Sequence, residues 1–198
     1  MLTGFRKVFD RFDMEQPSDE SIRRHFGPPL AVTWREVYGM TDEQIVVGLE
    51  VYREYYHDVG MFENSLYDGI PGLIKDLHAE GVTLSTATSK PEFSASRIIQ
   101  HFGLREYFTF IGAADLAGTR DGKSAVIAHT LENLQASSQS HSIVMLGDRR
   151  HDVEGAREYG IDTIGVLWGY GTAEELSTAG AIALAERPRD AGDLLLSR

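Results

Sequence analysis

The spacing of apolar residues changes once along the chain. Up to about residue 66, apolar side chains recur every three or four positions, and no strand-like run appears before residue 80. Leu2, Phe5, Val8, Phe9 and Phe12 share one helical face. Pro17-Ser18 stops that segment and starts another, with Ser18 as N-cap and Asp19 and Glu20 in the first turn. Gly27-Pro28-Pro29 ends it, and a third helix is predicted from Pro29 to Tyr38. Thr41-Asp42-Glu43-Gln44 is a capping box that opens a fourth helix, carrying Ile45, Val46, Leu49, Val51 and Tyr52 to about His57. Trp34, Tyr38, Tyr52, Tyr55 and Tyr56 read as the core of this helical part, with an interface as the other reading.

From residue 67 the pattern becomes an alternation of helix and strand. A helix over Ile70 to Glu80, stopped by Gly81, precedes a strand over Val82 to Thr88. A helix over Pro91 to Phe102 and a short strand over Phe108 to Gly112 follow. Ser124 to Leu134 is amphipathic and helical. Ile143-Val144-Met145-Leu146 is the most apolar run and reads as a buried strand that Gly147 breaks. After it come a helix from Asp152 to Tyr159 and a strand from Asp162 to Leu167. A second capping box, Thr172-Ala173-Glu174-Glu175, opens a further helix. An edge strand over Ile182 to Ala185 and a last helix over Ala191 to Leu196 close the chain. Strands separated by helices of this length imply right-handed crossovers and a parallel sheet. The expectation is an α/β fold with a helical domain at 1–66 and a parallel-sheet core at 67–198.

Composition narrows the function classes. A net charge of −11 over 198 residues argues against nucleic acid or an anionic membrane as partner. A small phosphorylated substrate stays open, because a bound cation reverses the field inside a pocket. The chain has no cysteine, which excludes disulfides, zinc–thiolate sites and thiol nucleophiles. No apolar run of about 18 residues and no signal-peptide pattern occurs, so a soluble cytoplasmic protein is expected, as monomer or homodimer.

Candidate chemistry gathers at predicted strand ends, where open α/β sheets bind ligands. Asp148 follows the Ile143 strand and Asp152 lies four residues on; paired carboxylates there suit Mg²⁺, or else cap the next helix. Thr88 and Ser89 end another strand with hydroxyls that suit phosphate oxygens, or else cap the helix that follows. Lys123, just after Gly122, would offset charge between carboxylates and a phosphoryl group, or is a solvated surface lysine.

Taken in order, these residues resemble the haloacid dehalogenase superfamily, in particular its phosphoglycolate phosphatase-like members with a helical cap. Thr88-Ser89-Lys90-Pro91 is similar to the family's second motif, Lys123 to its third, and Gly147-Asp148 through Asp152, with Gly155-Ala156, to its fourth. Phe102-Gly103-Leu104 and Gly165-Val166-Leu167-Trp168-Gly169-Tyr170-Gly171 also match its typical run, as does Gly27-Pro28-Pro29. The resemblance implies Mg²⁺-dependent hydrolysis of a phosphate monoester through an aspartyl-phosphate. It implies that Asp148 binds Mg²⁺ directly, that Asp152 does so directly or through water, that Thr88 and the Ser89 backbone grip phosphoryl oxygens, and that Lys123 neutralises charge. A helical cap would close over the site, with Gly27, Pro28 and Arg23 or Arg24 as candidates for substrate contact; the arginines read first as a solvated helix face.

One part of the family pattern has no match. The family begins with a strand ending in D-x-D-G-T, which carries the nucleophile, and this sequence shows no such run. Asp10 and Asp13 have the wrong spacing, lie in a helical stretch and read as surface residues. The strand would sit centrally, between the Thr88 and Asp148 strands, and its loss would remove roughly 5–10 kcal/mol of apolar burial. Either the natural product begins upstream of Met1, which is the expectation, or the sheet rearranges. The 198-residue chain is then expected to bind Mg²⁺ weakly and turn over little. The alternative is a non-catalytic module that binds a phosphorylated metabolite or a protein. A receiver-type signalling domain is disfavoured, because its acidic pair would lie early in the chain.

Overall fold

A computed structural model describes residues 1–26, 30–115, 119–120, 122–136 and 143–197. The chain divides into two units, Met1–Asn64 and Ser65–Arg198.

Among its described residues the first unit holds four α-helices, α1 (Leu2–Arg11), α2 (Asp19–Arg24), α3 (Leu30–Glu36) and α4 (Asp42–Asp58), and a 3₁₀ turn at Gly60–Phe62. Local chemistry sets their starts. The Ser18 hydroxyl accepts from Ser21 N, and Thr41 and Gln44 exchange the two bonds of a capping box. Phe5, Val8, Phe9, Ile22, Trp34, Met40, Ile45 and Tyr52 form the core of this unit, with Tyr38 and Tyr56 packed against it. Phe5 stands edge-on to Phe9, Trp34 and Tyr52 at centroid distances of 5.8–6.2 Å. Asp10 and Asp13 are exposed.

The second unit alternates as the sequence predicts. Its elements are α5 (Ile70–Ala79), β1 (Leu84–Pro91), α6 (Glu92–His101), β2 (Phe108–Ala114), α7 (Lys123–Leu134), β3 (Val144–Gly147), α8 (Arg150–Arg157), β4 (Asp162–Val166), α9 (Ala173–Ala179), β5 (Ala183–Ala185) and α10 (Pro188–Leu196). Every ladder is parallel, as expected of an α/β fold with helical crossovers. The strands form two ladders, β1-β2 and β3-β4-β5. Leu84 of β1 and Val144 and Leu146 of β3 belong to one apolar cluster with α5 and α10. Ala87 of β1 and Met145 of β3 belong to another with α7 and α8.

Several boundaries differ from the sequence reading, among them the last helix, which begins at Pro188 and not Ala191; three differ for a clear local reason. β1 continues past Thr88 to Pro91, with an irregular register between them; Pro91 has an extended backbone and precedes α6 instead of opening it. Gly147 does not break β3 but pairs with Gly165 as its last residue. α8 begins at Arg150, two residues before Asp152, because the Asp152 side chain accepts the Arg149 N–H and caps the helix from within its first turn.

Candidate functional site

The candidate residues of the second unit come from three elements. Lys123 opens α7, Asp148 directly follows β3, and Asp152 lies in the first turn of α8. The Lys123 ammonium donates to Ala87 O at 2.5 Å and lies 2.8 Å from Asp152 Oδ1. Both side chains of the pair are largely enclosed, 14% and 9% exposed, so bulk water screens their attraction little. Asp152 Oδ2 accepts two backbone amides, from Asp148 at 3.1 Å and Arg149 at 3.0 Å. Asp152 thus fixes the turn after β3 and holds Lys123, and its two oxygens already take three donors.

Asp148 is held from the far side by the loop that leaves β4. Tyr170 N donates to Asp148 Oδ2 at 2.8 Å, and Gly171 N donates to Asp148 O at 2.9 Å. This loop touches the carboxylate so closely that glycine is required: a Cβ on Gly169 would lie 2.3 Å from Asp148 Oδ2, and one on Gly171 would lie 2.1 Å from Asp148 O. Asp148 Oδ1 has no partner among the described residues. The Tyr67 hydroxyl is held above its ordinary range by partial burial, by Tyr170 and by the negative charge of Asp148.

Glu175, on α9, completes this frame. Its Oε1 accepts from Arg149 Nε and from Arg150 N, both at 2.9 Å. These bonds, the Arg150 amide first, hold its carboxyl below the ordinary value of 4.5. The second capping box is therefore half formed. Thr172 does accept from Glu175 N at 3.1 Å, but the Glu175 carboxylate caps α8 instead of turning back to Thr172.

Thr88 is half-buried, and its Oγ1 accepts from Lys90 N at 3.2 Å; Ser89 is exposed. Both follow directly on Ala87, whose carbonyl holds Lys123, so the structure brings the end of β1 to the Lys123–Asp152 pair. Arg23 is exposed on α2 in the other unit, and its neighbour Arg24 pairs with Glu20. Gly27 and Pro28 lie outside the described residues. Sequence reasoning assigned no role to Glu175, Tyr170, Gly169 or Gly171. The two glycines stand in the Gly-x-x-x-Gly-x-Gly run that begins at Gly165 in β4, and that spacing was the available signal.

The donor set suits a hard cation. Mg²⁺ takes oxygen ligands and is commonly held by one or two carboxylates while keeping waters and phosphate oxygens. Asp148 Oδ1 offers one such oxygen, and Asp152 is committed to Lys123 and the turn. Among the described residues no group of three or more His, Asp or Glu side chains gathers as a metal cage.

Comparison with known proteins agrees with this frame. Residues 1–166 match the family model described as haloacid dehalogenase-like hydrolase, and the chain belongs to that family. It is 39% identical over 175 residues to the tyrosine-protein kinase PtkA of Mycobacterium tuberculosis, a match that covers 88% of this chain and 58% of that protein. It is 36% identical over 166 residues to a 5'-nucleotidase of Pseudomonas aeruginosa, covering 84% and 74%. A crystal structure described as a predicted phosphatase from Clostridium acetobutylicum superposes with a TM-score of 0.89 at 34% identity, covering 100% of this chain and 90% of that one. The chain thus spans little more than half the length of the Mycobacterium relative.

Proposed function

We propose that this chain carries the cation- and phosphate-holding half of a Mg²⁺-dependent phosphate monoester hydrolase acting on a small phosphorylated substrate. The observation that carries the reading is the Lys123 ammonium, enclosed between Ala87 O and Asp152 Oδ1 beside a carboxylate, Asp148, that keeps one oxygen without a partner among the described residues. Relatives named phosphatase and 5'-nucleotidase support it.

In this reading Asp148 holds the metal. Mg²⁺, when bound, supplies charge neutralisation to phosphoryl oxygens. Lys123 has a third hydrogen to give, and it gives it to a phosphoryl oxygen. The Thr88 hydroxyl and the Ser89 amide hold the remaining oxygens. Asp152 orients Lys123 without touching substrate. The unit at 1–64 acts as a cap that excludes water, with Arg23 reaching substrate. The chain works in the cytoplasm. Asp10 and Asp13, exposed on helical backbone or next to it, do not serve as nucleophile, so the 198-residue chain turns over little.

The test pairs Mg²⁺ titration calorimetry with phosphate release from p-nitrophenyl phosphate, for the chain and for Asp148→Asn. Expected is Mg²⁺ binding weakened about tenfold or more in the variant, the loss of one charged ligand, with negligible release from both. Unchanged Mg²⁺ binding in Asp148→Asn overturns the metal assignment. Turnover by the unsubstituted chain overturns the reading of Asp10 and Asp13.

A further inference from the structure

An open cavity of about 410 Å³ lies within the second unit, where α6 begins and β2 ends. Glu92, Phe93 and Ser96 line it from the first two turns of α6, and Asp115 and Arg120 from the segment after β2. Its volume falls in the range of roughly 300–1,000 Å³ usual for small-molecule sites. None of these residues has a part in the cation- and phosphate-holding site described above.

Arg120 sets the chemistry of the cavity. Its Nε donates to Ala113 O at 3.1 Å, and its Nη2 donates to Glu92 Oε2 at 3.2 Å. Two bonds to different elements fix the plane of the guanidinium, and the side chain is 22% exposed. Nη1 has no partner among the described residues. Both Asp115 oxygens are engaged by Thr119, Oδ1 by its backbone amide at 2.9 Å and Oδ2 by its hydroxyl. Two carboxylates against one guanidinium leave the lining with a net charge of −1, which disfavours a second anionic group. Phe93 adds a large ring, 48% exposed, with the Arg97 guanidinium 5.1 Å from its centroid. A fixed guanidinium with N–H groups to give, an exposed ring, a hydroxyl and no excess of positive charge suit a flat, neutral heteroaromatic group with carbonyl and N–H edges.

Strand register places this cavity beside the phosphate-holding residues. Thr88 of β1 pairs with Ala113 of β2, and Pro91 pairs with Ala114. The Arg120 guanidinium therefore lies one strand spacing and one hydrogen bond from Thr88, about 8 Å. The ribose and its 5'-oxygen span a comparable distance between the phosphorus and the base of a nucleotide.

We propose that the cavity seats the base of a nucleoside monophosphate whose phosphoryl group lies at Thr88. Arg120 donates from Nη1 to a ring carbonyl, Phe93 lies against the ring face, and Ser96 bonds to the ring edge. Only the phosphoryl end rests on the hydrolase reading, which the proposal narrows to one substrate class.

The test follows backbone amide shifts of the 198-residue chain in Mg²⁺ buffer during titration with guanosine, ribose 5-phosphate and guanosine 5'-monophosphate. Arg120→Met and Phe93→Ala are titrated alongside. Guanine is the probe because its O6 and N7 accept from arginine. Expected are guanosine shifts at residues 92–96, Asp115 and Arg120, and guanosine 5'-monophosphate binding about tenfold or more tighter than ribose 5-phosphate, the scale of one good arginine–base contact. In each variant that ratio falls toward one. Equal affinities in the unsubstituted chain, guanosine shifts confined to other residues, or a ratio that survives in both variants overturns the proposal. Failure of the hydrolase reading shows separately: ribose 5-phosphate then leaves Thr88, Lys123 and Asp148 unshifted, while guanosine still shifts the cavity residues and Arg120→Met abolishes those shifts.

Discussion

The Lys123 ammonium uses two of its three hydrogens within the protein, and its partner Asp152 is buried. Replacing one member of an enclosed pair strands the other charge. Lys123→Met is therefore expected to cost about 3 kcal/mol, reduced in part by the two amides that still face Asp152; urea unfolding reads it as a lowered midpoint at unchanged slope. At Gly169 the constraint is space. A methyl there meets Asp148 Cβ and Oδ2 at 2.3 Å, so Gly169→Ala is expected to displace the carboxylate, with a loss of about 1–3 kcal/mol from overpacking. Weaker Mg²⁺ binding in the same variant checks that the displaced group is Asp148.

At the scale of elements, α9 and the loop before it act on α8 and on the β3 turn. Glu175 caps α8, whereas Tyr170 and Gly171 hold Asp148. The Glu175 pKa is lowered in the folded state, so its contribution is fully present above the unfolded value near 4.5. It is lost as pH falls through the folded value. Glu175→Gln is expected to be less stable than the parent at neutral pH, with the difference shrinking below pH 4.5; unfolding midpoints measured from neutral pH to pH 3 show it. The two capping boxes explain how far sequence could reach. Thr41 and Gln44 have no stronger partner than each other, and their box forms as read. Glu175 carries the same local pattern, but an arginine and a helix N-terminus, 26 and 25 residues earlier, compete for it and win. Asp148 and Asp152 were legible because a strand end and a helix turn are both local. The glycines at 169 and 171 owe their identity to the Asp148 carboxylate and backbone oxygen, so their spacing marks them in the sequence but not the residue they make room for.

For the molecule as a whole, the alternation of apolar periods was enough to read an α/β fold with parallel strands. The hydrophobic pattern alone did not reveal that the strands form two ladders: β1 is largely polar and β3 largely apolar, yet both end a ladder. The two tryptophans fall one in each unit, Trp34 in a helical core and Trp168 against the α5 and α10 cluster. Each unit has its own core, so single-tryptophan variants made by Trp34→Phe and Trp168→Phe are expected to report different denaturation midpoints. Coincident midpoints would show the two cores to be one cooperative body.

The order in which such a chain folds follows from its ladders. β1 pairs with the next strand in sequence, and so do β3 and β4, so each ladder closes only a short loop and forms soon after its residues leave the ribosome. Besides the apolar cluster shared with α5 and α10, the described hydrogen bonds and ion pair between the two run through α7. Thr130 donates to Thr86 O of β1, Ser124 to Glu158 beyond α8, and Lys123 spans Ala87 and Asp152. The polar part of the coupling between the ladders is thus carried by one helix, and substitutions along α7 are where their cooperativity can be tuned.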